Sequence, residues 1–263
     1  MKLLVIPDIH NKIELAEAII QQEGDADKCI FLGDLFDNFG DNPDVAVRTA
    51  EWVRNRIFDD RFIFLWGNHD LAYASRTRFT KCSGWSMPKD CAIWRVLSKA
   101  CFDRFKFFWI AQGFLFTHAG LHPNFLPPIW KPKDITTANL KKYLLQESEK
   151  CHIQLDIDTG QHWFYLPGDA RFSPKRGVEA GGLVWCDARQ EFEAIPNIAQ
   201  VFGHTILEWP MLIGHGLTRV SGEQLIQTDI AAKDHWNLAL DCQLRFYAIV
   251  QHGMLLIKRS PKV

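Results

Sequence analysis

Short apolar runs of strand length, separated by amphipathic helical stretches, constrain this chain more than any other feature of it. Residues 2–6, 29–32 and 62–66 are rich in Ile, Val, Leu, Phe and Trp, the composition of strands buried on both faces. Between the first two, residues 12–22 place Ile13, Ala16, Ile19 and Ile20 on one helical face. Between the second and third, residues 44–57 read as another helix, with Pro43 suited to its first turn. This β-α-β-α-β alternation predicts a parallel sheet with helices packed against it. Further strands are expected at 114–116 and 199–202, and a weaker one at 183–185. Residues 238–240, 246–250 and 254–257 read as antiparallel pieces joined by turns such as His252-Gly253. The expected fold class is α/β, with a mixed sheet or two packed sheets.

The stretches 71–112 and 121–182 fit this alternation poorly, apart from a helix expected at about 134–150. They are read as cap-like insertions in a single domain spanning 1–263, because no linker or repeat marks a boundary. A formal net charge of -1 gives no global reason for tight nucleic-acid or anionic-membrane binding. The apolar run 3–6 is cut short by Pro7 and Asp8, so neither a signal peptide nor a membrane span is expected there. A cytoplasmic location is the default expectation. The seven cysteines form no C-x-x-C pair and are expected to be reduced, buried and inert.

The chemistry gathers where the apolar runs end. Residues 2–6 lead into Asp8 and His10, 29–32 into Asp34 and Asp37, and 62–66 into Gly67-Asn68-His69-Asp70. Residues 114–116 lead into His118, and 199–202 into Gly203-His204. In open α/β sheets ligands sit beyond the carboxyl ends of the strands, so parallel strands would deliver these side chains to one edge. A single strand-terminal Asp is more often a turn or helix cap. Recurrence with His and Asn at successive strand ends points instead to one shared metal site.

In order and spacing these motifs resemble the calcineurin-like metallophosphoesterases: Asp8-Ile9-His10, Gly33-Asp34-Leu35-Phe36-Asp37, Gly67-Asn68-His69-Asp70, His118 and Gly203-His204. The resemblance implies a four-layer α/β/β/α sandwich with two mixed sheets. It also implies two divalent cations, with Asp8 and His10 on the first, Asp34 bridging, and Asn68, His118 and His204 on the second. Manganese is the first candidate, with Fe, Zn, Ni or Co as alternatives, since oxygen and imidazole donors do not choose among them. A hydroxide on the dinuclear centre would attack phosphorus, as a bound metal can lower the pKa of water to about 7. His69 would act as general acid to the leaving group, oriented by Asp37, a contribution of about 10² to 10⁴ in rate.

Two departures bear on substrate. Asp37 is followed by Asn38 and Phe39 rather than the Arg-Gly of the protein Ser/Thr phosphatase branch, so a phosphate-clamping arginine is missing there. Arg76, Arg78, Arg176 and Arg189 are candidate substitutes, with Asn68, Arg176 and Arg189 taken as substrate-binding residues. Ile206 stands where many relatives carry a second histidine. The ending is similar to those of the protein-phosphatase and diadenosine-tetraphosphatase branches, as is the segment Leu183-Val184-Trp185-Cys186-Asp187. Phosphomonoester hydrolysis is the leading expectation. Dinucleoside polyphosphate or phosphodiester hydrolysis on the same site, or a metal-binding scaffold without turnover, are the alternatives. The expected partners are a phosphorylated small molecule, a nucleotide or a phosphoprotein, and the oligomeric state is left open.

Overall fold

The first seventy residues wind as their apolar pattern predicts. The structure, a computed structural model, describes residues 1–38, 40–171 and 179–262. Strand β1 (Lys2–Ile6), helix α1 (Ile13–Gln22), β2 (Lys28–Phe31), α2 (Pro43–Arg54) and β3 (Phe62–Phe64) alternate in chain order. Asn42 caps α2 by accepting from the Asp44 and Val45 N–H groups, with Pro43 at the first position. Helix α3 (Asn68–Ala74) follows β3, and α4 (Met87–Val96) and the short α5 (Lys99–Phe102) come next. Strands β4 (Trp109–Ala111) and β5 (Phe114–Phe116) form a hairpin, and α6 (Thr137–Leu155) precedes β6 (Ala199–Phe202). The remainder is β7 (Met211–Ile213), β8 (Arg219–Ser221), β9 (Asp229–Ala231), β10 (Asn237–Ala239), β11 (Phe246–Gln251) and β12 (Met254–Arg259).

These strands make two mixed six-stranded sheets, ordered β3-β2-β1-β11-β12-β9 and β4-β5-β6-β10-β7-β8. In the first sheet β1, β2 and β3 run parallel, and β1 is antiparallel to β11. In the second, β5, β6 and β10 run parallel, flanked by antiparallel β4 and β7. Alternation along β1 separates two cores. Leu3 and Val5 pack with Ile30, Phe114, Phe116 and Val201 between the sheets, whereas Leu4 and Ile6 pack with Ile19 of α1 and Val53 of α2 outside. Helix α6 joins the outer cluster through Leu140 and Leu144, together with Leu115, whose neighbours Phe114 and Phe116 face the other sheet. The architecture is therefore α/β, with two sheets packed face to face and helices outside them.

Several expectations need correction. Residues 183–185 form a turn rather than a strand, with Trp185 and Cys186 both donating N–H to the Gly182 carbonyl. The stretch 71–112 contains α4, α5 and β4, and β4 belongs to the second sheet. The helix expected at 134–150 begins later and runs longer, as Thr137–Leu155, because Thr136 accepts from the Asn139 N–H and caps it. Not every cysteine is buried: Cys82 is half-buried and Cys91 exposed, and all seven are free. Among the described residues no helix is long and apolar enough to cross a membrane.

Candidate metal centre

The parallel trios of the two sheets set up the site. Following β1, β2 and β3 come Asp8, Asp34 and Asn68, and following β5 and β6 come His118 and His204. Two loops cross-link these ends: Ile9 and His10 donate N–H to the Asp34 carbonyl, and Asp70 accepts from the Gly67 and Leu35 N–H groups at 3.0 and 2.9 Å. The turns that aim the side chains are tight. His10, Asp34, Asp37 and His204 all adopt positive φ, at 45°, 49°, 64° and 67°. Left-handed backbone costs an ordinary residue about 1–2 kcal/mol, a cost carried here at the positions that bear the chemistry. Gly67 and Gly203 permit the closest approaches. A Cβ on Gly67 would lie 2.2 Å from the Asp34 amide nitrogen, and one on Gly203 would lie 2.0 Å from Asp8 Oδ1.

Two groups of donors result, sharing Asp34. Atoms of Asp8, His10 and Asp34 lie within 4.8 Å of one another, as do those of Asp34, His118 and His204. Asn68 joins the second group, its Oδ1 lying 3.1 Å from His118 Nε2. The imidazoles of His118 and His10 are turned so that Nε2 faces inward. His118 Nδ1 donates to the Leu32 carbonyl at 2.9 Å, which turns Nε2 toward Asp34 Oδ2 at 3.4 Å and His204 Nδ1 at 3.2 Å. His10 Nδ1 likewise donates to the Asp37 carbonyl at 2.6 Å and points Nε2 toward Asp34 Oδ2 at 3.8 Å. Fixing one ring nitrogen with a backbone carbonyl is how metal-binding histidines are held in the correct tautomer. His204 Nε2 is buried without a partner.

The electrostatics fit a cation pair. Asp8, Asp34 and Asn68 are buried, and burial of ionised carboxylates requires a compensating charge. Burial pushes the Asp8 carboxyl well above the usual range, and the nearby charge of Asp241 adds to it. Burial would raise Asp34 too, but His118 and His69 hold it well below that range. For His118 burial opposes charging, yet Asp34 and Asp8 push its pKa up to about 9. Burial and then His118 keep His204 well below the ordinary histidine value. Nitrogen and oxygen donors in this arrangement suit a borderline divalent cation, and no thiol takes part.

His69 stands beside the two groups rather than in them. Its N–H donates to Asp34 Oδ1 at 2.9 Å, and its Nδ1 donates to Asp37 Oδ2 at 3.1 Å. Burial works against its charge, but Asp34 and the Asp37 hydrogen bond raise its pKa well above the ordinary histidine value. Asp37 has partners that sequence reasoning missed: Tyr73 donates to Oδ1 at 2.6 Å, and the buried Lys89 of α4 donates to the same oxygen at 2.8 Å. Cys82 Sγ lies 3.7 Å from His69 Nδ1.

A cleft of about 300 Å³ opens above the donors and is lined by His10, Asp34, Asn68, His69, Arg171 and Arg189, among others. Of the expected arginines, Arg189 is at this cleft, 3.9 Å from Asp187 Oδ2, and Arg176 lies outside the described residues. Arg76 instead lines a separate cavity of about 710 Å³, and Arg78 stacks over Phe79. Arg171, which the motifs did not signal, sits at the cleft 3.5 Å from Asp187 Oδ2. Asp241 was missed as well, a buried carboxylate following β10.

Among solved structures, a metallophosphoesterase from Sphaerobacter thermophilus is similar over 100% of this chain and 90% of that one, with 14% identity and a TM-score of 0.51. A protein serine/threonine phosphatase from Saccharomyces cerevisiae matches over 100% and 80% of the two chains, with 13% identity and a TM-score of 0.47. No curated protein sequence matches the chain. The sequence profile of the calcineurin-like phosphoesterases does match, over residues 1–208. Because that match runs from β1 through β6 and takes in every strand-end motif up to His204, this chain belongs to the calcineurin-like phosphoesterase family.

Proposed function

We propose that the chain hydrolyses phosphate esters, phosphomonoesters foremost, using two divalent cations, with manganese the first to test. The observation that carries this reading is the pair of donor groups, Asp8-His10-Asp34 and Asp34-His118-His204, which share one carboxylate beneath an open cleft. When bound, two such cations would activate water and steady the attacking and leaving oxygens. The chain's own residues would do the rest. Asn68, beside His118, completes the second group of ligands and also faces the cleft. His69, with its Nδ1–H held by Asp37, presents Nε2 as the acid for the leaving alkoxide. Its raised pKa supports that role, because the shift favours the protonated ring that an acid needs. Arg189 and Arg171, partly tethered to Asp187, line the cleft together with Lys12 and are the arginines there, among the described residues, that would meet the phosphate.

The test is phosphate release from a phosphomonoester, a phosphodiester, a dinucleoside polyphosphate and a phosphopeptide, with manganese or a chelator. Phosphomonoesters should turn over fastest, and chelation should abolish release. Asp34→Asn should remove nearly all turnover together with metal. His69→Asn should keep metal while losing about 10² to 10⁴ in kcat. Wild-type-like release by either variant would defeat the reading.

A further inference from the structure

The first parallel trio places a functional side chain after each strand, whereas the motifs account for only two members of the second trio. Strand β10 is the third. It pairs in parallel with β6, Ala239 opposite Phe202, and Leu240 donates N–H to the Phe202 carbonyl at 2.8 Å. The next residue, Asp241, therefore emerges beside Gly203-His204, and its carbonyl accepts from the Leu207 N–H at 2.9 Å as that loop turns back. Asp241 lies beyond residue 208, where the family profile ends.

Its side chain is 1% exposed. Oδ1 accepts from the Gln243 N–H at 2.9 Å, the bond of an ordinary Asx turn. Oδ2 is buried with no partner. A turn-forming role needs one oxygen and no charge, so it explains Oδ1 and leaves Oδ2 unexplained. The charge of Asp241 is felt by Asp8 more strongly than that of any other group, and Asp241 in turn senses His10, Asp34 and His118. A third buried acid whose charge reaches Asp8 and Asp34, with an unanswered oxygen, would oppose folding unless a cation compensates it. Among the described residues, the donors gathered on the side of Asp8 and His10 are those two and the shared Asp34. Ile206, in the loop that carries His204, supplies no donor there.

Resting on the proposed reading of the site, we infer that Asp241 is a further metal-anchoring carboxylate, serving the cation held by Asp8 and His10. Asp241→Asn separates this role from the turn, because an amide oxygen still accepts from Gln243 while the negative charge is gone. Manganese is titrated calorimetrically into the metal-free full chain, and bound metal is counted by elemental analysis. The wild type should bind two ions, and the variant should bind one of them about 10- to 100-fold more weakly, with the other unchanged. Without metal, the variant should melt no lower than the wild type, because a repelled buried charge has been removed. Two wild-type sites together with unaltered affinities in Asp241→Asn would overturn this inference alone. A wild type that binds no manganese would overturn the reading of the site itself. A metal-free variant that melts well below the wild type would show a turn residue only, and would also overturn the inference.

Discussion

At the residue scale the site depends on which groups neutralise which. Asp37 is held by three donors, His69, Tyr73 and Lys89, of which only His69 belongs to a motif. Lys89 comes from α4, fifty-two positions away in the chain, and also donates to the Gly84 carbonyl at 2.8 Å. It divides the Asp37 charge with His69. Lys89→Met, which keeps the stem and removes the ammonium, should leave that charge to His69 alone and raise the histidine's pKa further. The basic limb of the kcat–pH profile should move to higher pH, with kcat reduced by about tenfold. A profile superimposable on that of the wild type would mean that Lys89 does not act through Asp37. The same reasoning accounts for the carboxyl of Asp70, which burial and then Asp34 push up to about 7 although two backbone N–H groups oppose the shift.

At the scale of elements, strand ends positioned by glycine approaches decide whether the donors meet. Gly203 lets the β6 loop pass the Asp8 carboxylate, which accepts the His204 N–H at 3.1 and 3.0 Å on its two oxygens. Gly203→Ala should push Asp8 aside. The expected result is loss of the Asp8-side metal and at least a hundredfold fall in activity, while Gly24→Ala, whose Cβ would meet only the Gln21 carbonyl oxygen at 3.4 Å, should leave both intact. Metal titration of the two variants checks this. Element boundaries were legible in sequence where the apolar run was long or ended abruptly, as for Phe114–Phe116 and Ala199–Phe202. Strands β7, β8 and β9 went unread because each is three residues long, and β8 and β9 are edge strands that each begin with a charged residue, Arg219 and Asp229. The run 183–185 misled because its burial comes from packing between loops, where Ala119 donates to the Leu183 carbonyl, and not from a ladder.

At the scale of the whole molecule, the two ends of the chain are tied together at Glu23, which follows α1. The buried carboxylate accepts from Lys2 of β1 at 2.8 Å, from Tyr247 of β11 at 2.7 Å and from Lys258 of β12. Burial alone would raise its pKa, but the two lysines and the tyrosine hold it at about 2 against an ordinary 4.5. Because the folded value is the lower one, this network contributes fully above about pH 4.5 and is lost as pH falls toward 2. The contribution at neutral pH is about 2–3 kcal/mol. Urea melts of wild type and Glu23→Gln should differ by roughly that amount at pH 7 and converge near pH 2. Parallel profiles at all pH values would mean that the carboxylate's charge is not what joins the ends.

The donor types and their order along the chain were set by sequence alone, because Asp8, His10, Asp34, Asn68, His118 and His204 each follow an apolar run whose burial can be read locally. So were the parallel start of the first sheet and the His252-Gly253 hairpin, whose two residues take positive φ at 53° and 75°. Only the tertiary structure decided that β10 lies parallel to β6, that Lys89 reaches Asp37, that Arg171 rather than Arg76 borders the cleft, and that Asp241 is buried with a free oxygen. These facts depend on pairings between segments far apart in the chain. A local pattern records which face of a strand is buried, but not which neighbour buries it.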